Sequence, residues 1–403
     1  MHLEQKKLLE LSSKYSTPLY VYNLDLVSKK YQSIYDFIPY KNLKVLYAMK
    51  ANYNIDILKT LLELGSGIDA VSPGDVLLAK KVGFPAEKIL YTANNITDKE
   101  MNLVQKEGVT FNIGSLSRLE KYSKAFPGSS ICLRFNPEVV AGAHEKIMTG
   151  GDITKFGILF TDIPKVKEIA DRYDIKIIGI HKHTGSGINQ ADKFIQAINN
   201  LLGIATKENF PDLKFIDFGG GIAVPYHPEE ERINYSEFGK TVTNIFEDYS
   251  KSYGKELEMW FEPGKFIVAE SGYLLIEVNT LKDNKGRLIA GTNSGFSQLI
   301  RPMFYEAYHH IENLSNPSGE LKAYDICGNI CETGDCFASE RSLPEIREGD
   351  ILSIQNAGAY CYAMASIYNL RSLPAEVVIN NDSDKLSTKR LSTEELIDSL
   401  FKE

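Results

Sequence analysis

The sequence predicts an α/β protein, a (β/α)₈ TIM-type barrel with a C-terminal antiparallel β domain. Three observations carry this prediction. Eight short apolar runs alternate with stretches of helical spacing between residues 44 and 265. Nearly every run closes on a polar or glycine-rich group. After about Gly272 the helical spacing gives way to strand-like runs separated by Gly, Asn, Pro and Asp.

The runs are KVLYAMK (44–50), GIDAVSP (67–73), KILYTA (88–93), VTFNIGS (109–115), ICLRFNP (131–137), KIIGIHKHTG (176–185), FIDFGGG (215–221) and EMWFEPGK (258–265). Between them NIDILKTLLELG, SPGDVLLAKKVG, SLSRLEKYSKAF and IPKVKEIADRY space their apolar residues as helices do. The domain division expected is 24–272 for the barrel and 273–403, joined by 1–23, for a β-sandwich-like domain. PLYVYN (18–23) supplies a strand to the latter, and LSTEELIDSLF ends the chain as a helix.

Composition restricts the functions to consider. The 403 residues are 43% apolar and 24% charged, with a net charge of -8, which is ordinary globular material. No sustained Lys/Arg block is present to neutralise phosphates, so nucleic acid is not an expected partner. No run of eighteen apolar residues occurs and the N-terminus lacks signal-peptide character, so a cytoplasmic protein is expected. Five scattered cysteines fit reduced thiols.

In a barrel of this kind the C-terminal strand ends form the active-site mouth. Lys50, Ser72, Asn94, Ser115, Asn136, His183, Gly219 to Gly221 and Glu262 are therefore expected to converge. Lys50 alone reads as a strand-end lysine reaching solvent. In a barrel mouth it is a candidate imine-forming amine whose ammonium pKa burial should lower. Gly219, Gly220 and Gly221 free backbone N–H groups to approach an anion, in the part of a barrel that often binds phosphate.

In WFEPGKF, Glu262 ends the eighth run and Pro263 and Gly264 turn the chain so that Lys265 faces the same anion. A carboxylate there can pair with a protonated heterocycle nitrogen, as proteins hold pyridoxal phosphate in its electron-withdrawing form. In HKHTGSG, His183 can stack on a flat ring while Ser186 and Gly187 add donors. Zinc at the His-x-His pair is disfavoured because no third ligand lies at the expected spacing. Arg301, Tyr305 and Tyr360 suit a carboxylate clamp, with an interface arginine a close second reading. Cys331, followed by Glu332 and a Thr-Gly-Asp turn, is the candidate chemical thiol, and Cys327, Cys331 and Cys336 match no common metal spacing. The polar, glycine-rich segment 141–157 is expected to move over substrate.

Taken together, YAMKAN, RFNP, TKFGI, HKHTGSG, DFGGG, FEPGKF, LIRPMFYEAYHHI, CETGD, GAY and PAEV resemble, in order, the fold-type III pyridoxal-phosphate-dependent decarboxylases, and most closely the branch acting on diaminopimelate. The resemblance runs from about Pro18 to Ile379. It implies that Lys50 holds pyridoxal 5'-phosphate as a Schiff base, His183 stacks on its ring and Glu262 meets its pyridine nitrogen. Ser186, Gly219, Gly220, Gly221, Pro263, Gly264, Lys265 and Tyr360 would surround the cofactor.

Cys331 would be the proton donor, and Lys265, Arg301, Tyr305, Glu332 and Tyr360 would bind substrate. The Cys331 loop would come from the partner of a homodimer. The implied reaction is a carboxy-lyase step, meso-2,6-diaminopimelate to L-lysine and carbon dioxide, closing lysine biosynthesis. No resident metal is expected. A decarboxylase of another diamino acid or carboxylated polyamine, a barrel racemase, and a catalytically inactive regulatory relative are the rival readings. Two departures stand out: the family's Glu-Pro-Gly-Arg ends in Lys265 here, and YNLRSLPAEV varies from the usual Arg-Pro-Ala-Glu ending.

Overall fold

The computed structural model describes residues 3–137, 155–185 and 191–401. After β1 (Leu19–Asn23), eight parallel strands follow: β2 (Leu43–Ala48), β3 (Gly67–Ala70), β4 (Ile89–Tyr91), β5 (Thr110–Ile113), β6 (Ser130–Arg134), β7 (Lys176–His181), β8 (Phe215–Asp217) and β9 (Glu258–Phe261). They pair in sequence, and β9 returns to β2 with Val45 opposite Phe261, closing the barrel. The expected barrel is present.

Alternation along the strands decides what fills it. Leu46, Leu90, Cys132 and Phe215 come from β2, β4, β6 and β8 and form one buried cluster, the layer of four from alternate strands that packs such barrels. Trp260 stacks on Phe215 with ring centroids 3.7 Å apart and planes 5° apart. Gly179 makes room for it, because a Cβ there would lie 2.1 Å from the Phe215 ring.

Two residues further along, the same period of two brings polar groups onto the same interior. Asp69, Thr92, Asn112, Arg134, His181, Asp217 and Glu262 are all buried. They form a polar floor above the apolar plug.

The helices around the barrel carry their own terminal signals. Ser72 and Ser115, expected at the mouth, instead cap helices Pro73–Val82 and Leu116–Ala125, accepting from the Asp75 and Arg118 N–H groups at 3.1 and 3.3 Å. A serine directly before a helix satisfies an otherwise orphaned donor, and that local demand decides where these hydroxyls point.

The remaining strands are β10 (Gly272–Asn284), β11 (Arg287–Thr292), β12 (Ile311–Asn313), β13 (Leu321–Cys327), β14 (Cys336–Pro344), β15 (Ile351–Ile354), β16 (Ala375–Asn380) and β17 (Ser383–Thr388). With β1 they form a nine-stranded sheet. Most of its pairings are antiparallel, as expected, but β1 with β16 and β11 with β13 are parallel. The first of these joins opposite ends of the chain, so no hairpin constrains its direction. Helix Gln5–Tyr15 covers this sheet, burying Leu8 and Leu11 with Leu19, Val21, Leu275 and Val377. Among the described residues no helix is long and apolar enough to cross a membrane.

Candidate active site

Lys50 stands in a one-turn 3₁₀ segment, Met49–Ala51, directly after β2. Its Nζ donates to Asp69 Oδ2, while 34% of its side chain stays exposed. The expectation of a lowered pKa is corrected here. Burial pushes the ammonium pKa down, but Asp69, Tyr360 and Glu262 together raise it above its ordinary value. The charged partners outweigh desolvation. Asp69 is fully buried, and burial with the nearby Glu262 charge pushes its carboxyl up to about 6 against the opposing pull of Lys50.

Glu262 lies at the centre of the floor. The His181 Nε2 atom is 3.1 Å from Glu262 Oε2. Burial disfavours the carboxylate, but the hydrogen bond from His181 and the Lys50 ammonium overcome this and keep it ionised. Burial favours the neutral form of His181, so its Nε2–H donates to Glu262. Glu262 Oε1 is buried and has no partner. A buried, ionised acceptor needs a donor.

Asp217 sits beside this pair, with ligand-type atoms of His181, Asp217 and Glu262 within 4.8 Å of one another. The fold thus supplies near His181 the additional groups that the sequence spacing did not, but His183 is not among them. Two buried carboxyls so close do not both ionise. Burial and the Glu262 charge push Asp217 well above the usual range. Its Oδ1 accepts from the Gly219 N–H at 2.8 Å, so the neutral acid positions the glycine loop.

An Asp217→Asn variant, which keeps a neutral acceptor and donor, should hold turnover within about tenfold of the parent, whereas Asp217→Leu should lower stability by about 1–3 kcal/mol by orphaning the Gly219 N–H. Turnover and thermal unfolding of both variants check this. Equal damage from both would mean that the aspartate acts as a charge.

The glycines form a cradle. Gly219 has φ +68°, and a Cβ there would lie 2.5 Å from the Lys182 carbonyl oxygen; a Cβ on Gly220 would lie 2.4 Å from that of Glu262. Only glycine lets the backbone come this close. The Gly220 N–H donates to His183 Nδ1 at 3.1 Å, fixing the ring that the sequence marked for stacking. Burial lowers the His183 pKa well below its ordinary value, leaving a neutral, flat surface. Pro263 accepts from the Ala48 N–H, and Gly264 packs against Ala48 and Ala51. This ties the Glu262 turn to the Lys50 segment.

Lys265 and Arg301, both buried, face the Tyr226 ring at 5.7 and 4.6 Å. Arg301 Nε donates to His309 Nε2 at 3.3 Å, and His309 Nδ1 donates to the Gln355 carbonyl at 2.8 Å. Burial, then Arg301, hold His309 neutral with its pKa down to about 3. Tyr305 and Tyr360 lie within the field of Arg301. Tyr360 also acts on Lys50 and holds φ +57°, a conformation tolerated here beside its 2.8 Å N–H bond to the Ala51 carbonyl. Electrostatic contacts therefore link Lys50 to Tyr360, Tyr360 to Arg301, and Arg301 to Lys265.

Burial and the neighbouring Arg301 lower Lys265 from 10.5 to about 7. The unfolded chain then binds more protons than the fold above pH 7, so ligand-free stability rises with pH from about 7 toward 10.5. Anion binding has the opposite sign, because an anion favours the ammonium. Sulfate, whose charge is constant over this range, should lose affinity between pH 8 and 9 by up to about tenfold. Lys265→Arg should flatten that dependence in calorimetric titrations of the apoprotein.

Other expected residues are placed differently. Cys331 and Glu332 are exposed in the β13–β14 connection, where the Cys331 N–H donates to Asn369 Oδ1 at 3.0 Å and Tyr368 donates to Glu332 at 2.8 Å. They bond to these neighbours, not to the Lys50 cluster. Ser186, Gly187 and residues 141–154 of the expected moving segment lie outside the described residues. Asp69, Arg134, Asp217, Tyr226 and His309 were not marked by sequence reasoning. For Asp69 and Asp217 a signal existed, a carboxylate within an apolar strand at the parity of the interior.

Comparison with known proteins agrees with this geometry. The family model for the pyridoxal-binding domain of pyridoxal-dependent decarboxylases matches residues 24–269. The chain belongs to that family. Its cofactor is pyridoxal 5'-phosphate, and the site fits it: an ionised, unpartnered Glu262 oxygen, a glycine cradle, a fixed neutral imidazole and two buried cations.

A diaminopimelate decarboxylase from Methanothermobacter thermautotrophicus is 41% identical over 397 residues, covering 96% of this chain and 92% of its own. One from Escherichia coli K12 is 31% identical over 98% of this chain and 96% of its own. The crystal structure of diaminopimelate decarboxylase from Helicobacter pylori complexed with L-lysine superposes with a TM-score of 0.90 at 30% identity, covering 98% of this chain and 99% of that one.

Proposed function

We propose that this protein decarboxylates meso-2,6-diaminopimelate to L-lysine and carbon dioxide, the last step of lysine biosynthesis, as a cytoplasmic homodimer. The observation that carries this reading is the grouping of buried Arg301 with Lys265 and Tyr305, linked to Lys50 through Tyr360. A second carboxylate on the substrate matches these cations, whereas ornithine or arginine would bring a cation against them.

Bound pyridoxal phosphate supplies an electron sink for the bond that releases carbon dioxide. Lys50 would hold the cofactor through its amine. Glu262, held ionised by His181, would pair with the pyridine nitrogen, and His183 would stack on the ring. Gly219, Gly220, Gly221, Lys265, Tyr360 and Ser186 would hold the phosphate. Pro263 and Gly264 set the turn between these groups. Arg301, Tyr305 and Tyr360 orient the distant carboxylate, and Glu332 takes the distant ammonium.

Cys331 delivers a proton from Sγ to the carbon that has lost its carboxylate. Its exposed loop supports a shared site in which Cys331 and Glu332 of one copy complete the groove of the other. A carboxylate partner for the pyridine nitrogen favours decarboxylation over racemisation, since it sustains the electron sink.

Carbon dioxide release from meso-diaminopimelate, ornithine, arginine and lysine tests the substrate. Selective release from diaminopimelate is expected, and Arg301→Ala should raise KM for it by about tenfold or more through loss of a charge-assisted pair. Preference for ornithine would overturn the assignment. Mixing inactive Lys50→Ala and Cys331→Ala copies should restore a fraction of the activity if the site is shared. No restoration on subunit exchange would place the proton donor within one chain.

A further inference from the structure

The loop bearing Cys331 is bounded by two cysteines that the proposed reaction does not use. In the antiparallel β13–β14 pair, Cys327 lies directly opposite Cys336. The Gly328 N–H donates to the Asp335 carbonyl at 2.9 Å, closing the turn directly beyond this pair, and a register shift separates the pair from Ile326 and Ala338. Directly opposed residues of an antiparallel pair hold their Cβ atoms roughly 4.5–5.5 Å apart, near the separation that a disulfide spans.

Both cysteines are half-buried free thiols. Cys336 Sγ lies 3.1 Å from the Ala338 carbonyl oxygen and 3.7 Å from Ser339 Oγ. The neighbouring Cys327 pulls the Cys336 pKa down, and the thiolate is the reactive form.

The neck of the loop is held in place independently of the sulfurs. Asp335 is buried, and its carboxylate accepts from the Phe296 and Ile330 N–H groups at 2.6 and 2.7 Å. A Cβ on Gly328 would lie 2.3 Å from that carboxylate. The sulfurs therefore meet on a preformed turn. An inert, permanently reduced pair is the ordinary expectation in a reducing compartment, but inertness does not account for direct pairing at both ends of the one loop that carries the exposed Cys331.

We propose that Cys327 and Cys336 form a dithiol–disulfide site, oxidised by a peroxide, that ties the neck of the Cys331 loop. The Cys336 thiolate attacks a peroxide oxygen, breaking the O–O bond and leaving a sulfenic acid and one water after protonation. The Cys327 sulfur then attacks the Cys336 sulfur, forming the S–S bond and releasing the second water. Two thiols lose two electrons and two protons to one hydrogen peroxide, giving two waters. The closed tie fixes both ends of residues 328–335 and limits how far Cys331 reaches. This last effect rests on the reading of Cys331 as proton donor, whereas the bond itself does not.

The experiment uses reduced holoenzyme treated with substoichiometric hydrogen peroxide, alkylated under denaturing conditions and mapped by mass spectrometry. A Cys327–Cys336 linked peptide is expected, lighter by two hydrogens, reversed by dithiothreitol, retained in Cys331→Ser and absent in Cys336→Ser. Oxidation of Cys331 first, a link involving Cys331, or full alkylation of both neck thiols would overturn the site. Turnover should fall by about fivefold or more on oxidation of the parent, through displacement of the loop, and recover with dithiothreitol. Equal responses in the parent and Cys336→Ser would overturn the tie's action on the loop while leaving the mapped bond intact.

Discussion

Replacing Lys50 with Ala should abolish the visible absorbance of covalently held cofactor and lower carbon dioxide release by roughly 10³-fold or more, because the amine assigned to carry the cofactor is lost. The geometry around Lys50 makes this a sharp test. Its Nζ is held by Asp69, which is itself fixed on β3 among fully buried neighbours. With the lysine removed, Asp69 loses its cation and takes up a proton more readily, so the variant should fold while losing chemistry. A Lys50→Ala protein that retained both the absorbance and the turnover would show that another residue holds the cofactor.

The second large effect is expected at Glu262. Glu262→Gln preserves shape but removes the negative charge that His181 and Lys50 maintain in the buried floor. Loss of one preorganised electrostatic group costs about 10²–10³-fold in turnover. Because the cradle and the cations of Lys265 and Arg301 remain, cofactor affinity should change far less than the rate. Separate titration of cofactor binding and measurement of kcat distinguishes the two. A variant with unchanged kcat would mean that the pyridine nitrogen takes its partner elsewhere, and Asp217 would be the first residue to test.

Much of the barrel was legible because parallel strands buried on both faces read as short apolar runs, and the helices between them keep a period of 3.6. Lys50, His183, the glycines and Glu262 were legible because each ends or follows such a run, and the mouth of a barrel collects strand ends. Ser72 and Ser115 also end runs, but they went to helix caps, since the nearest unsatisfied N–H groups belong to the next helix. The direction of the Lys50 pKa was misjudged for a related reason. Burial could be inferred from the strand, whereas the carboxylates that reverse its effect come from β3 and from the turn after β9.

Sequence by itself determined the strand and helix alternation, the order of the motifs and the chemical types available: an amine, an imidazole, a carboxylate, a glycine run and a clamp arginine. Those follow from local periodicity and residue chemistry. Only the tertiary structure decided which groups share a floor. It set Asp69 against Lys50, His181 and Asp217 against Glu262, and His309 behind Arg301, residues separated by up to 81 positions. It also placed Cys327 opposite Cys336 across a turn. Charge states depend on distances of a few ångströms between strands, and no local pattern encodes those distances; closure of the barrel sets them.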